Sequence, residues 1–312
     1  MDTMMALRAH VRGGPEQLVY EPAPVPPAGP GQVLIAVHAA AITFAELTWD
    51  LEWTTQDGQD RTPVIPSHEV SGTVAGLGAG VTGLAVGDEV IGLVDFDRDG
   101  AAAEYVVMPA ATLAAKPPSL SHVQAATLPL AALTAWQALV DHAALQPGQQ
   151  VLVQGGAGGV GLFAVQLAAI LGGHVTATGR GADAELVESL GADRFVSVEA
   201  GAPGPAAGEF DVVIDAVGGD VLDRSYALLR PGGRLVTLSA PPDQDRAARH
   251  QIQAMFFVVT PDAAGLARLA ELAGPGRLRP VISQTFPLAE GRHAFESGRA
   301  HRPPGKTVLV VS

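Results

Sequence analysis

Three glycines, Gly156, Gly158 and Gly161, stand in G-x-G-x-x-G spacing within residues 151–168, VLVQGGAGGVGLFAVQLA. That spacing suits a dinucleotide pyrophosphate. The first glycine allows a sharp turn, the second a close backbone approach to the phosphates, and the third tight packing of helix on strand. The helix N-terminus that follows offers unpaired N–H groups and partial positive charge to an anion. A glycine-rich turn in any α/β protein shares the spacing. Here an apolar strand at 151–153 leads in and an apolar helix at 159–171 leads out, which favours dinucleotide binding. The next strand, 174–178, runs into Thr178-Gly179-Arg180, where an NAD-preferring fold places Asp or Glu against the ribose hydroxyls. The carboxylate is missing and a guanidinium suited to a phosphate stands there, which favours NADPH; the alternative for Arg180 is a solvated loop charge. Asp183 is placed to cap the helix at 184–190.

The elements that must position these residues alternate from about residue 121 onward. Helices are expected at 122–128 and 132–142, then the strand and helix of the glycine segment, then the strand at 174–178 and the helix at 184–190. Further strands are expected at 194–198, 212–215, 234–238 and 255–259, with a helix at 220–229. Such alternation predicts a doubly wound parallel sheet. Residues 201–208, GAPGPAAG, form a loop. The first third is β-rich instead, with short runs at 33–40, 70–77 and 89–93 bounded by turn signals. A helix at 261–273 and an apolar strand at 308–311 close the chain. With no partner in the dinucleotide fold, that last strand is expected to return to the N-terminal β domain, so that one domain interrupts the other.

The 312 residues suffice for two domains, and 47% hydrophobic against 16% charged residues indicates an ordered globular chain. The net charge of −13 argues against nucleic acid and anionic membranes as partners. A bound dinucleotide must therefore be held by backbone amides and a few placed cations. Lysine occurs only at Lys116 and Lys306. There is no cysteine, which excludes disulfides, thiolate nucleophiles and cysteine-bound zinc, and fits a cytoplasmic setting. No uninterrupted apolar run of about 18 residues predicts a membrane span, and the N-terminus lacks the apolar core of a secretory signal.

Several segments in order resemble the medium-chain dehydrogenase/reductase superfamily, in its zinc-independent quinone oxidoreductase and enoyl reductase branch. They are IPSHEVSG (65–72), GDEV (87–90), AEYV (103–106), LPLAALTAWQA (128–138), GAD (191–193), DVVIDAVGG (211–219), LRPGGRLV (229–236) and GKTV (305–308). The resemblance implies a GroES-like β-rich catalytic domain (1–121 and 262–312) plus a doubly wound Rossmann NADP-binding domain (122–261). It also implies a homodimer, and hydride transfer from NADPH to a small-molecule substrate, either a quinone or an activated C=C bond. By the same resemblance Gly158, Gly159, Val160 and Gly161 lie along the pyrophosphate, and Thr178, Gly179 and Arg180 hold the adenosine phosphate. Val217 and Ser239 contact the ribose side, Phe257 and Val259 on the final strand meet the carboxamide, and Lys306 projects toward the cofactor unless it is a solvated turn residue.

Zinc-dependent members of the superfamily carry G-H-E, whose histidine binds the metal; here the motif is His68-Glu69, and the cysteines that complete such a site have no counterpart in 43–46 or 128–133. No metal is expected, since zinc needs three protein ligands. His68 is either a hydrogen-bonded cleft residue or a proton donor. Relatives show V-N-x-x-D where this chain has Ile42-Thr43-Phe44-Ala45-Glu46, so Thr43 keeps a hydroxyl donor without the amide. Phe44 narrows the pocket or stacks on substrate, and Trp49 and Trp53 either join that wall or pack in the core. Thr127, Tyr105 and water are further candidates for the acid. Residues 47–61 are expected to form a polar mobile loop. Two other readings stay open: a dedicated enoyl reductase tailoring a polyketide-type metabolite, and an NADPH-binding protein without turnover.

Overall fold

The computed structural model describes residues 2–55, 57–199, 204–299 and 303–311. Contacts divide the chain into two compact units, one of residues 1–130, 260–276 and 280–312, the other of 131–259 and 277–279.

The first unit is built on a seven-stranded sheet. Its path runs Ile282–Pro287, Lys306–Val310, Gln32–Ile42, Glu69–Leu77, Glu89–Leu93 and Leu113–Ala115, with Tyr105–Pro109 also pairing to Gln32–Ile42. The C-terminal strand does return to the β-rich unit: Thr307 pairs with Ile42, and Ala41 with Glu69 on the other side. Along Gln32–Ile42 burial alternates at first, as a half-covered strand requires, and becomes continuous from Ala39. Val33, Ile35 and Val37 point into a core shared with Leu7, Val70, Val106 and Leu309. Residues 122–130 belong to this unit rather than to the second. His122 bonds Ser71 through Nδ1 (2.8 Å) and Glu89 through Nε2 (3.0 Å), while Val123 and Ala126 pack on Ala39, Ala41 and Val308.

The second unit holds six strands in the order Arg194–Ser197, His174–Gly179, Gln150–Gln154, Phe210–Asp215, Leu229–Thr237 and Gln253–Phe256, every neighbouring pair parallel. Numbered by sequence this is 3-2-1-4-5-6, the doubly wound order. Val151–Val153 and Val212–Ile214 are wholly buried, as strands covered on both faces must be.

Several expectations are corrected. The final strand of this sheet ends at Phe256, so Phe257 and Val259 lie beyond it. Asp183 occupies the N-cap position of helix Ala184–Ser189 but makes no capping bond; its carboxylate instead lies 3.7 Å from Arg180 Nε. The expected loop at 47–61 instead holds, among its described residues, a 3₁₀ turn (Glu46–Thr48) and a helical turn (Asp50–Trp53), with Arg61 donating to the carbonyls of Glu52 (2.6 Å) and Phe96 (3.1 Å). Of the 201–208 loop, 201–203 lie outside the described residues. The strand at Tyr105 continues the AEYV segment, whereas the hairpin Thr3–Ala9/Leu18–Pro24 and the strands at Leu113 and Ile282 were not expected. Among the described residues one helix, His122–His142, has the length and apolarity to cross a membrane, yet 78% of its most apolar window is buried inside the fold.

Candidate functional site

The glycine turn differs in one respect from the simple reading of its spacing. The left-handed residue is Gly155 (φ 78°), one position before the motif, and a Cβ there would sit 2.8 Å from Val217 Cγ2. Gly156 is instead a packing glycine, with 2.8 Å between its hypothetical Cβ and Ala177. Gly158 is exposed and forms the N-cap of helix Gly159–Ile170, without any side chain to cover the free N–H groups of that first turn. Gly159 and Val160 follow, half-buried. A Cβ on Gly161 would overlap the Gly155 carbonyl oxygen, so this glycine sets how closely the helix approaches the strand. The turn is held from the next strand. Thr178 accepts Gly156 N at its carbonyl (2.8 Å) and Gly155 N at Oγ1 (3.2 Å), and its hydroxyl donates to Gln154 Oε1 (2.7 Å).

The other expected cofactor residues of this unit lie at or just beyond the C-terminal ends of strands of the same sheet. Strands Gln150–Gln154 and Phe210–Asp215 are adjacent and mark the point where the winding reverses, the place where ligands bind in such sheets. Beyond the second of them the buried Asp215 carboxylate accepts the N–H groups of Val217 (3.1 Å) and Gly218 (3.2 Å), fixing the loop that carries Val217 against Gly155. Burial pushes Asp215 above its ordinary range, against the opposing pull of those N–H groups. Ser239 Oγ lies where a side chain on Gly218 (φ 80°) would stand. Gly179 packs under the Phe195 ring. Arg180 directly follows the strand His174–Gly179, with its side chain 44% exposed. Phe257 packs on His142 with the rings tilted at 41° and 4.2 Å between centroids, and Val259 is buried.

In the first unit, Thr43 follows directly on the central strand and opens a turn in which Glu46 N donates to its carbonyl (2.9 Å). Around that turn lie five buried ionisable side chains: Glu46, Glu52, His68, Glu69 and Lys306. Ser67, in the left-handed region (φ 73°) and anchored by its hydroxyl to the Ala41 carbonyl (3.0 Å), precedes His68. His68 Nε2 lies 2.6 Å from Glu52 Oε2. Lys306 Nζ lies 2.5 Å from Glu69 Oε2 and donates to Thr43 Oγ1 (3.2 Å), while Glu69 Oε1 accepts the Leu130 N–H (3.0 Å). Lys306 is thus no solvated turn residue. Burial, with the charge of Glu52 adding to it, pushes Glu46 well above the usual carboxylate range, against the pull of Lys306.

The remaining candidates are placed as follows. Thr127 is buried, and its hydroxyl donates to the Gln124 carbonyl (2.8 Å). Phe44 packs where a side chain on Gly298 would stand. Trp53 is a core residue whose indole donates to Leu47 O (3.0 Å), whereas Trp49 is half-buried, edge-on to Phe96. Tyr105 packs partly buried against the sheet core.

Residues 29–118 match the alcohol dehydrogenase GroES-like domain family, and residues 190–309 the zinc-binding dehydrogenase family. The "probable zinc-binding oxidoreductase, mitochondrial" of Arthroderma benhamiae is 31% identical over 94% of this chain and 92% of its own length. The structure of the quinone oxidoreductase from Coxiella burnetii superposes with a TM-score of 0.91 at 31% identity, covering 100% of both chains. The chain belongs to the medium-chain dehydrogenase/reductase superfamily. Within it, this oxidoreductase falls in the quinone oxidoreductase-like branch, with a GroES-like sheet domain and a Rossmann domain that takes a pyridine nucleotide. A further relative, the spectinabilin polyketide synthase system protein NorB of Streptomyces orinoci, is 36% identical over 96% of this chain, which spans 14% of that protein's length.

The zinc of the matched family name does not fit the donors of this superfamily member. His68 Nε2 is taken by Glu52, the chain has no cysteine, and among the described residues no three His, Asp or Glu side chains are grouped to hold an ion. Gly155, Gln154, Asp215 and Gly218 in the nucleotide unit, and Glu46 and Glu52 in the other, went unassigned by sequence reasoning. The doubled glycine at 155–156 and the aspartate closing an apolar strand were available signals. Nothing local marked Glu46 or Glu52 as buried.

Proposed function

We propose that the chain is a zinc-independent, NADPH-dependent reductase of quinones or α,β-unsaturated carbonyls. The observation that carries this reading is Arg180, half-exposed at the end of the second Rossmann strand where a ribose-binding carboxylate would stand. A guanidinium there favours the 2′-phosphate of NADPH. When bound, the dinucleotide supplies a hydride. The N–H groups of the Gly158–Gly161 turn take its pyrophosphate, with Thr178 and Gln154 holding that turn in place. The residues of the Thr43 turn supply hydrogen bonding to the substrate oxygen, and the protein's main service is to hold the reacting carbon in line, which can be worth about 7–11 kcal/mol. The reading includes a cytoplasmic homodimer, for which Gln253–Phe256 offers an edge at the end of its sheet.

The likeness to NorB favours a second reading, a dedicated enoyl reductase acting on a polyketide-type metabolite. Oxidation of NADPH by the purified chain with a quinone, an enone and a short enoyl thioester, with NADH as control, tests both. Turnover with NADPH and little with NADH supports the proposal, and the preferred acceptor separates the readings. Tight NADPH binding without oxidation by any acceptor would instead support the non-catalytic reading.

A further inference from the structure

The chain's two lysines are both buried, but in different company. Lys116 pairs with Glu89 (3.2 Å) and donates to the carbonyls of Leu120 (2.7 Å) and Pro117 (3.2 Å), all part of the sheet's frame. Lys306 donates to a half-buried side chain, the hydroxyl of Thr43 (3.2 Å), and its ammonium is the hydrogen-bond partner that Oγ1 has among the described residues.

An ammonium has three donors and no acceptor, so the bond has one polarity: Nζ donates and Oγ1 accepts. The hydroxyl proton must then point away from Lys306. Glu69 keeps the ammonium in place, with Oε2 at 2.5 Å from Nζ and Oε1 tied to Leu130 N. The backbone register holds all three residues together, because Ile42 pairs with Thr307 and Ala41 with Glu69.

We infer that Lys306 is a positioning residue for Thr43, committing that hydroxyl to donate a hydrogen bond to the substrate's carbonyl oxygen. The inference rests on the reductase reading above. In the step, the hydride's electron pair forms the new C–H bond at the β-carbon. The C=C pair shifts to join the α and carbonyl carbons, and the carbonyl π pair moves onto oxygen. Thr43 keeps its proton and stabilises that oxygen, and water supplies the proton to the α-carbon. A rotating hydroxyl is a poorer preset donor than a planar amide; the ammonium removes its freedom to turn inward.

The test has two arms. Labelling with 15N-lysine gives one side-chain ammonium resonance per lysine. The near-isosteric Thr43→Val should shift that of Lys306 and leave that of Lys116 in place. No shift overturns the proposal whatever the turnover. In the second arm, enone reduction by Thr43→Val is expected to fall about 100-fold in kcat with the KM for NADPH unchanged, while Thr43→Ser retains most of the rate. Lys306→Met should cost a similar factor alone and little more in the Thr43→Val background. Equal losses in both backgrounds would show Lys306 acting independently and overturn the inference. A shifted ammonium with no turnover of any acceptor by the natural chain would instead sink the reductase reading and leave only the Lys306–Thr43 bond standing.

Discussion

Glu52 Oε2 lies 2.6 Å from His68 Nε2, and neither side chain is exposed to solvent at all. The histidine of the His68-Glu69 motif is therefore occupied by a carboxylate from the turn at Asp50–Trp53. Removing one member of a buried pair leaves the other without compensation, at about 3–5 kcal/mol. Glu52→Ala should lose stability of that order in urea denaturation, and Glu52→Gln, which keeps an acceptor, less. A loss below about 1 kcal/mol for the alanine variant would contradict a stabilising role for the pair.

The same contact bears on metal. Because His68 is engaged and no third ligand is grouped with it among the described residues, chelation should leave NADPH oxidation unchanged. Turnover lost on chelation and restored by zinc would refute this reading of the donor set.

Glu46 supplies a pH dependence. Burial raises it well above its ordinary 4.5, so through the window between the two values the folded chain binds one proton more than the unfolded chain. Its share of stability is present below the unfolded value and is lost as pH rises toward the folded one, at up to about 1.4 kcal/mol per pH unit. The stability of Glu46→Gln relative to the natural chain should therefore grow between pH 5 and pH 8. Parallel denaturation curves across that range would show Glu46 ionised in the fold.

Gly161→Ala places a methyl against the Gly155 carbonyl and should both destabilise the Rossmann unit and abolish dinucleotide binding. Gly158→Ala meets a tight contact, 3.3 Å from Gly155 O, that a small local shift relieves, and should still fold, at far less cost than Gly161→Ala, while binding NADPH more weakly. Fluorescence titration beside a melting curve separates the two effects. Equal behaviour of both variants would count against the close-approach argument.

Arg180→Leu should lower the affinity for NADPH about 10- to 100-fold, the worth of one or two charge-assisted bonds, and spare NADH. Equal losses for the two nucleotides would return Arg180 to the role of partner for Asp183.

The nucleotide unit was legible because its signals are local. Glycine spacing, apolar runs and strand-helix alternation each involve neighbours within a few turns, and the strand Gln150–Gln154 and the helix Gly159–Ile170 lie within a residue of where the sequence puts them. Even there, the spacing did not show which glycine makes the turn, since Gly155 becomes obligatory only when Val217 closes over it. The strand at Gln253–Phe256 was misplaced because its apolar run continues past the point where pairing with Leu229–Thr237 ends.

The sequence by itself determined the class of fold, the dinucleotide turn, the absence of cysteine ligands and the guanidinium at the end of the second strand. Only the tertiary structure decided what the polar residues of the first unit do. Thr43 and Lys306 are 263 positions apart, and meet because the last strand pairs beside the central one. Burial, rather than residue type, turned Glu46 into an acid that favours its proton and bound His68 to Glu52. A carboxylate's solvation depends on which surfaces close over it, and no local pattern of residues encodes that.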